Sequence, residues 1–277
     1  MNIAIVTDST ADLPQELIEK YSIRVMHNFI IIDGKEYEDN VDITREEFYE
    51  RLPQMAKSPT TATASSGSYQ DLYEEIFRKG YNHIISIHPP SLLSGIHNAA
   101  SVAAEAFRGR VHVIDSGSIS MGMGLQVLQA AEAAAKGMHV KEILEFLVDV
   151  KRRVRLFAML DTLEFIRRSG RVSWARARIG TLLSVKPFIE LRDGKVLSLG
   201  QVRTRMKGIR HLIELYGSQG VVEKLAILHT NAESEARNFL EAIGVSTNLP
   251  PFLVNVTTII GTHVGPNALG FTLIKSE

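Results

Sequence analysis

The sequence contains no cysteine and has no excess of charge of either sign. A chain without cysteine cannot form disulfides, thiol nucleophiles, iron–sulfur clusters or cysteine-based zinc sites. Lys and Arg together number 31, as do Asp and Glu, so the formal net charge is zero. Because tight nucleic-acid binding depends on an excess of positive charge, we expect no nucleic-acid partner.

Segments that would direct the chain to a membrane are also missing. The first eight residues lack the basic region and apolar core of a signal peptide. No apolar run reaches the ~18 residues that a transmembrane helix needs. We therefore expect a soluble, cytoplasmic protein whose contact with a membrane surface is at most transient. At roughly 150 residues per domain, a chain of 277 residues suggests two domains.

Strand and helix patterns alternate along the first half of the chain. A β-branched run at the start ends at Asp8, and segments of similar length follow it. The predicted strands are 83–87 and 111–115, and the predicted helices are 69–79, 92–107, 121–136 and 141–150. Such alternation is typical of α/β folds, so we predict a doubly wound, mostly parallel sheet. Basic residues cluster near residue 155, which we take as the end of an N-terminal domain, 1–155.

Three segments of this half have their own local signals. The apolar run 24–32 ends at Asp33-Gly34, a turn signal, which predicts a strand that ends there or turns there into a hairpin. Thr44 with Glu47 three residues later predicts a helix start. Residues 57–67 contain six Ser or Thr residues with one Pro and one Gly, and are predicted as a loop.

The second half, 156–277, is less regular. Asp193-Gly194 between two apolar runs is a strong signal for a β-hairpin. The predicted strands are 155–160, 187–192, 195–202, 225–229, 252–260 and 269–274, and the predicted helices are 163–168, 175–183, 207–216 and 233–242. This mixture predicts a C-terminal α/β domain with a mixed sheet.

Known catalytic motifs are absent or incomplete. There is no P-loop and no H-E-x-x-H, and 117–121 fails the G-x-S-x-G pattern of serine hydrolases. The Gly122-Met123-Gly124 segment lacks the third glycine of a dinucleotide loop. The nine His residues do not have metal-ligand spacing. We therefore predict no catalytic residue, no metal and no cofactor.

Polar side chains at predicted loop ends are candidate ligand contacts. Ser91 and Ser94-Gly95 lie where the predicted strand 83–87 leads into a helix, whose free N–H groups and dipole favour a carboxylate or phosphate. The spacing alone favours the alternative that Ser94 only caps its own helix. Thr61 is either part of a solvated loop or a ligand contact. His263 lies in a predicted tight turn between two glycines and is either structural or functional.

Positive charge is concentrated in two places. Arg203 and Arg205 follow the predicted hairpin, where they either face solvent or reach a ligand. The segment 151–178 holds nine Lys or Arg residues and only Asp161 and Glu164 oppose them. This basic segment either docks an acidic partner or a phosphate, or consists of two exposed helix faces.

A series of longer motifs runs from one end of the chain to the other. They are VTDSTADLP at 6–14, YEDNVDITREEFY at 37–49, the threonine loop, SLLSG at 91–95, VIDSGSISMGMG at 113–124, DTLEFIRRSGR at 161–171, KPFIELRDGKV at 186–196, QVRTR at 201–205 and GTHVGPNALGF at 261–271. In this order and spacing the chain resembles the DegV family of fatty-acid-binding proteins, which includes the FakB subunits of bacterial fatty acid kinase.

The resemblance implies a long-chain fatty acid in a tunnel between two α/β domains. In the family, a loop threonine, a serine turn, an arginine and a histidine hold the carboxylate. By the resemblance these residues are Thr61, Ser94, Arg203 and His263, with Ser91, Gly95, Arg205 and Thr262 as secondary candidates. The chain departs from the family pattern at 61–65, which reads TATAS, and at 94–97, which reads SGIH.

The hypothesis that follows is a fatty-acid carrier that is not an enzyme by itself. It would present the bound carboxylate to a separate fatty acid kinase, which would convert it to an acyl phosphate with ATP, and the basic segment 151–178 would dock the kinase. Two alternatives stay open. One is a hydrolase or phosphotransferase that uses Asp8 and Ser9, and the other is a lipid sensor without a kinase partner.

Overall fold

A computed structural model describes residues 2–172, 185–245 and 250–276, in an α/β arrangement with three sheets. The strands run β1 Ile3–Asp8, β2 Arg24–Met26, β3 Phe29–Ile32, β4 Lys35–Glu38, β5 Thr60–Ala62, β6 His83–His88, β7 Val111–Asp115, β8 Val154–Met159, β9 Lys186–Arg192, β10 Lys195–Val202, β11 Val222–His229, β12 Phe252–Asn255 and β13 Leu269–Lys275. The predicted helix at 175–183 lies outside the described residues.

The helices connect these strands and cover the sheets. They run α1 Gln15–Lys20, α2 Arg45–Arg51, α3 Ser66–Arg78, α4 Ile96–Ala104, α5 Met121–Ala135, α6 Val140–Arg153, α7 Glu164–Ser169, α8 Arg205–Gly217, α9 Glu233–Ala242 and α10 Thr258–Val264. Within the described ranges, none of these helices is long and apolar enough to cross a membrane.

The first sheet is parallel throughout, in the order β2-β1-β6-β7. Every residue of β1 is buried, as expected for a central strand covered on both faces. The chain moves from β1 to β2 on one side and returns to β6 on the other. The order of strands therefore reverses between β1 and β6, and ligands of such sheets bind at that point. The predicted doubly wound parallel sheet is confirmed.

A small antiparallel sheet, ordered β4-β3-β5, corrects two predictions. The run 24–32 is two strands in two sheets, because it leaves the parallel sheet after Met26 and Phe29 begins the antiparallel one. The predicted loop 57–67 contains β5, which pairs with β3, and ends in the first turn of α3. The Ser/Thr-rich composition of this segment predicts a loop, but threonine is also favoured on a half-buried strand. The strand β5 forms because β3, about thirty residues earlier in the sequence, pairs with it.

The second half contains a six-stranded mixed sheet, ordered β10-β9-β8-β13-β11-β12. Its strands are antiparallel except for the pair β11–β12. The β9–β10 hairpin turns at Asp193 and Gly194, whose φ angles of 51° and 74° suit a two-residue hairpin turn. The predicted mixed sheet is confirmed, while the division at residue 155 stays a prediction.

Two helices join the parallel sheet to the mixed sheet. Nearly all of α5 is buried, because it packs against β1 on one side and against β8, β11 and β13 on the other. The amphipathic α6 packs beside it. Residues of α5 and α6 share one hydrophobic cluster with Ile5 of β1 and Leu156 of β8. A helix that is apolar on all sides is stable only between two covering layers.

The segment before the last strand differs most from its prediction. The predicted strand 252–260 ends at Asn255, and 258–264 forms the helix α10. His263 is therefore in the last turn of a helix and not in a glycine-flanked turn after a strand. Buried oxygen atoms hold the start of this helix, as described below, and they outweigh the β preference of its Thr and Ile residues.

Candidate ligand site

A cavity opens at the strand reversal of the parallel sheet, where the carboxyl ends of β1 and β6 lie side by side. Thr10 follows β1, and Pro89 and Ser94 follow β6. The cavity also reaches the mixed sheet through Ile189 of β9 and Val196 of β10. It therefore lies between the two halves of the molecule.

Most of the cavity wall is apolar. The apolar residues come from β5, from the loops after β6 and β7, from α4, from α7 and the segment after it, from α10 and from the β9–β10 hairpin. They are Ala62, Pro89, Leu93, Ile96, Ile119, Ile166, Val172, Ile189, Val196, Ile259, Ile260 and Val264. A wall of this kind suits a hydrocarbon chain, because removing apolar surface from water favours binding.

A second cavity adjoins the first one on the side of the mixed sheet. The two share Ile119, Ile189, Ile260 and Val264 as wall residues. Beyond these, the second cavity is lined mainly by residues of β8, β13 and the end of β11, together with Val256 after β12. The four shared residues place a second apolar cavity directly behind the wall of the first.

Thr61 and His263 bring two distant parts of the sequence together at the cavity. Thr61 lies opposite Ile30 in the β3–β5 pair, and His263 is in the last turn of α10. Thr61 Oγ1 and His263 Nε2 are 3.3 Å apart and share a hydrogen bond. These two sequence-predicted residues are therefore adjacent, and both line the cavity.

His263 is neutral in this environment at neutral pH. Burial, with a smaller contribution from the Arg171 guanidinium, lowers the pKa of His263 from 6.5 to about 4. A neutral imidazole can donate or accept one hydrogen bond at each ring nitrogen but supplies no positive charge. Any anion at this end of the cavity must therefore find its charge partner elsewhere.

Arg171 is a cation beside His263, at a position that the sequence pattern does not assign to the ligand site. It follows α7 after Gly170, which has the left-handed φ of 71° that ends a helix. Its Nη1 donates to the Ser169 carbonyl oxygen over 2.6 Å, and its side chain lines the cavity. In the sequence, Arg171 ends the 161–171 motif as part of SGR. Its charge places it in the basic segment 151–178, which is predicted to dock a partner.

Ser94 combines the two roles that the sequence left open. Its Oγ accepts a hydrogen bond from the Ile96 N–H at the start of α4, 3.3 Å away, and the residue also lines the cavity. A serine hydroxyl still has a proton to donate and a second lone pair when it caps a helix. Ser94 can therefore hold α4 and contact a ligand at the same time.

Arg203 and Arg205 lie away from the cavity wall in this structure. Arg203 is exposed just after β10 and is not among the residues that line the cavity. Arg205 begins α8 and pairs with Glu235 and Asp161 beside a separate polar groove. The assignment of Arg203 to the carboxylate stays a prediction.

The other secondary candidates are engaged in local structure. Ser91 is exposed and donates to Asp115 through both its N–H and its hydroxyl. Gly95 is the residue before the first turn of α4 and is exposed. Thr262 is buried, and its hydroxyl donates to the Thr258 carbonyl oxygen inside α10. None of these three is among the residues that line the cavity.

Several polar residues of the cavity were not predicted at all. Thr10, Asn28 and Thr63 line it together with the residues above. Asn28 and Thr10 both donate to Asp8 Oδ1, over 3.1 and 2.5 Å, so the Asp8 carboxylate fixes both side chains. The position of Thr10 just after the first predicted strand could have marked it as a cavity residue. No sequence pattern marks Asn28.

The Asp8 carboxylate does not present a free nucleophile. It is fully buried, and the His88 Nδ1–H donates to its second oxygen over 2.7 Å. Ser86 Oγ lies 2.7 Å from His88 Nε2, which reproduces the connectivity of a serine-hydrolase triad. Ser86 is nonetheless fully buried within β6 and also bonded to Tyr73, so a substrate cannot reach it.

A larger groove beside the cavity, about 560 Å³ against about 110 Å³, has a different chemistry. Its lining includes Asp8, Asp12, Arg45 and Glu46. Arg45 pairs with Asp12 over 3.1 Å, so its positive charge already has a carboxylate partner within the groove. We therefore assign the ligand site by chemistry and not by size.

The basic segment 151–178 divides into two groups in the structure. Lys151, Arg153 and Arg155 near the end of α6 bond to carboxylates or to backbone carbonyls. Arg167 and Arg168 of α7 are exposed, on the helix that leads to Arg171. Arg176 and Arg178 lie outside the described residues. Among the described residues, exposed arginines of this segment therefore lie at the end of α6, as Arg152, and on α7 beside the cavity, where Arg168 pairs with Glu164.

Fold and site together define an α/β protein with an apolar ligand cavity between a parallel and a mixed sheet, edged by hydroxyl, imidazole and guanidinium groups. The DegV family model, described as an uncharacterised protein of the DegV family, matches residues 2–276. A DegV domain-containing protein of Caldanaerobacter subterraneus subsp. tengcongensis is 35% identical over 273 residues, 97% of each chain. The chain belongs to the DegV family.

Solved structures of family members have the same fold. One is a DegV family protein from Thermus thermophilus whose structure is described in terms of fatty acid binding. It matches this chain with a TM-score of 0.91 and 30% sequence identity, over 100% of both chains. DegV of Bacillus subtilis, described as a fatty acid binding protein, matches with a TM-score of 0.87 at 32% identity. That match covers 99% of this chain and 100% of the other.

Proposed function

We propose that this protein binds a long-chain fatty acid, with the acyl tail in the apolar cavity and the carboxylate at Thr61, Ser94 and His263. The observation that carries the proposal is an apolar cavity whose edge carries the Thr61–His263 hydrogen bond and the Arg171 guanidinium. Relatives that are described as fatty acid binding proteins and share the fold at 30% and 32% identity support it.

The energetics of such a ligand divide between its two ends. At ~0.8 kcal/mol per methylene, about fourteen buried methylenes contribute roughly 11 kcal/mol before ordering costs. A carboxylate is costly to bury unless it is paired and hydrogen-bonded. Arg171 supplies the charge for that pairing, and the hydroxyls and the neutral imidazole supply hydrogen bonds. The tail then provides the affinity and the polar end fixes the orientation.

The bound acid is a substrate that this chain presents to a separate fatty acid kinase. A carboxylate oxygen would attack the terminal phosphorus of ATP, giving an acyl phosphate and ADP. Arg171 lines the cavity and is also exposed, so the polar end of the ligand lies near the surface, where a partner can reach it. Arg167, exposed on α7 beside it, offers that partner a positive charge, while the neighbouring Arg168 pairs with Glu164.

The first test is to identify the ligand directly. The purified protein is denatured, extracted with organic solvent and analysed by mass spectrometry before and after incubation with mixed fatty acids. We expect one long-chain fatty acid per chain, and weaker retention in Ser94→Ala and His263→Ala. An extract that stays empty after incubation would refute the proposal.

The kinase step has its own prediction. Arg167→Glu should lower the rate of acyl-phosphate formation with ATP and a purified fatty acid kinase subunit several-fold, because it reverses charge on the proposed docking face. Its fatty-acid affinity should not change. Arg78→Glu, an exposed arginine outside the basic segment, is the matched control. Equal rates for both variants would exclude α7 as the docking face, and tight binding without turnover would favour the lipid sensor.

A further inference from the structure

Buried oxygen atoms converge on the start of α10, seven residues long and carrying His263 at its other end. Asp39, which follows β4, accepts hydrogen bonds from the hydroxyls of Thr257 and Thr258 over 2.5 and 2.7 Å. All three side chains are fully buried. A carboxylate at this place also complements the positive end of the helix dipole.

Three further contacts hold the same point. Asp12 Oδ1 accepts from the Thr257 N–H over 2.8 Å. The Tyr49 hydroxyl donates to the Val256 carbonyl oxygen over 2.9 Å, and Arg45 donates to the Asn255 carbonyl oxygen. Each of these partners is more than 200 residues away in sequence, so the start of α10 is held by the N-terminal half of the chain.

The other end of α10 also contacts the N-terminal half. His263 bonds to Thr61 of β5, so α10 is held at both ends, by Asp39 at its start and by Thr61 at its end. His263 is the fifth residue after Thr258, which corresponds to about 7.5 Å along a helix. Over so short a rigid element, a shift at the first turn moves the imidazole by a similar distance.

We propose that Asp39 is a positioning residue for the ligand carboxylate: it anchors the first turn of α10 and thereby places the His263 imidazole against Thr61 and the bound head group. This inference rests on the proposed function, since it assigns a role within the same site. Asp39 does not touch the ligand, and its action passes through Thr257, Thr258 and the helix.

The test compares two ligands that differ only in the head group. Dissociation constants for palmitic acid and for 1-hexadecanol are measured by displacement of a fluorescent fatty acid. In Asp39→Asn we expect about tenfold weaker binding of the acid, a typical size for coupling between sites, and no more than a twofold change for the alcohol. General loosening of the cavity would weaken both ligands equally and would overturn the proposal.

Variants of the threonine avoid any change of charge. Thr258→Val removes the hydroxyl at nearly constant shape and should reproduce the selective loss, whereas Thr258→Ser retains the hydroxyl and should bind the acid like the wild type. Thr272→Val is the matched control. Thr272 is a fully buried threonine whose hydroxyl donates to the Arg155 carbonyl oxygen, away from the cavity. A loss in Thr272→Val equal to that in Thr258→Val would contradict the proposal.

Two further measurements separate this inference from the proposed function. In a His263→Ala background, Asp39→Asn should have no further effect on acid binding if it acts through the imidazole. In the ligand-free protein, NMR titration of His263 should show its pKa rise from about 4 toward its ordinary value in Asp39→Asn, as the ring loosens. If the wild type binds no fatty acid, the proposed function fails, and an unchanged His263 titration would overturn the Asp39 role.

Discussion

The charge state of His263 determines how this cavity can meet a carboxylate. Burial lowers the pKa of its imidazole to about 4, so at neutral pH it offers a hydrogen bond and no charge. Arg171, whose guanidinium contributes to that shift, is the cation at the same end of the cavity. The two side chains therefore divide between them the charge and the hydrogen bond that a carboxylate needs.

The division predicts different results for two arginines. Arg171→Gln should weaken palmitic acid binding about three- to tenfold and leave 1-hexadecanol binding unchanged, because the interaction is ionic but partly solvated. Arg203→Gln should have little effect, since Arg203 is exposed and is not among the residues that line the cavity. Displacement assays check both variants. The reverse result would restore Arg203 as the carboxylate partner that the sequence predicts.

His263 and Asp12 predict opposite pH dependences of stability. Burial lowers the pKa of His263 from 6.5 to about 4, so its stabilising contribution is present above 6.5 and lost as the pH falls to 4. Burial raises the pKa of Asp12 from 3.8 to about 6, so its contribution is present below 3.8 and lost as the pH rises to 6. Between pH 4 and 6 the two contributions oppose each other.

Single variants separate the two contributions. Relative to wild type, His263→Gln should gain about 3 kcal/mol in the free energy of unfolding as the pH falls from 7 to 4. Asp12→Asn should gain a similar amount as the pH rises over the same range. Urea unfolding at several pH values measures both, and variant curves parallel to the wild-type curve would show that these groups do not titrate as described.

At the scale of elements, α10 shows how packing outweighs local preference. Its Thr and Ile residues favour a strand, and the sequence predicts one through residue 260. The helix forms because Asp39 and Asp12 hold its first turn and because Gly261 lies directly against the Tyr49 phenol. All three contacts involve residues of the other half of the chain. The pattern of residues within 252–264 therefore does not predict this helix.

Gly261 provides the prediction at this scale. In Gly261→Ala the added methyl group would collide with the Tyr49 ring, which should lower the free energy of unfolding by about 1–3 kcal/mol. Gly217→Ala at the end of α8 is the matched control, since its added methyl meets open space. That change should be neutral or stabilise by about 1 kcal/mol. Equal urea midpoints for the two variants would contradict the packing of α10 on Tyr49.

The whole molecule is organised around the contact between its two sheets. The buried α5 fills the space between them, and the cavity wall takes Ser94 and Ile119 from one half and Ile189 and Val264 from the other. A ligand in this cavity would therefore remove apolar surface of both halves from water. Its binding should stabilise the two halves together.

This arrangement predicts one cooperative response to the ligand. Palmitic acid at 100 times its dissociation constant should raise the free energy of unfolding by about 2.7 kcal/mol and shift a single thermal transition upward. Scanning calorimetry with and without the acid checks this, with His263→Ala at the same ligand concentration as the comparison that should shift less. Two transitions, of which only one moves, would place the ligand within one half.

The sequence alone determined the features that depend on neighbouring residues. The strand that ends at Asp8, the Asp193-Gly194 hairpin and the helix start at Thr44 all follow from periodicity or turn chemistry within a few residues. The order of motifs also identified the family, and the resemblance named Thr61 and His263 as candidate ligand contacts, both of which line the cavity. Tertiary structure alone decided that 24–32 divides between two sheets, that 258–264 is a helix and that Arg171 lines the cavity. The physical reason is that these outcomes depend on hydrogen bonds, packing and charge between residues far apart in sequence, which outweigh local preferences of about 1 kcal/mol.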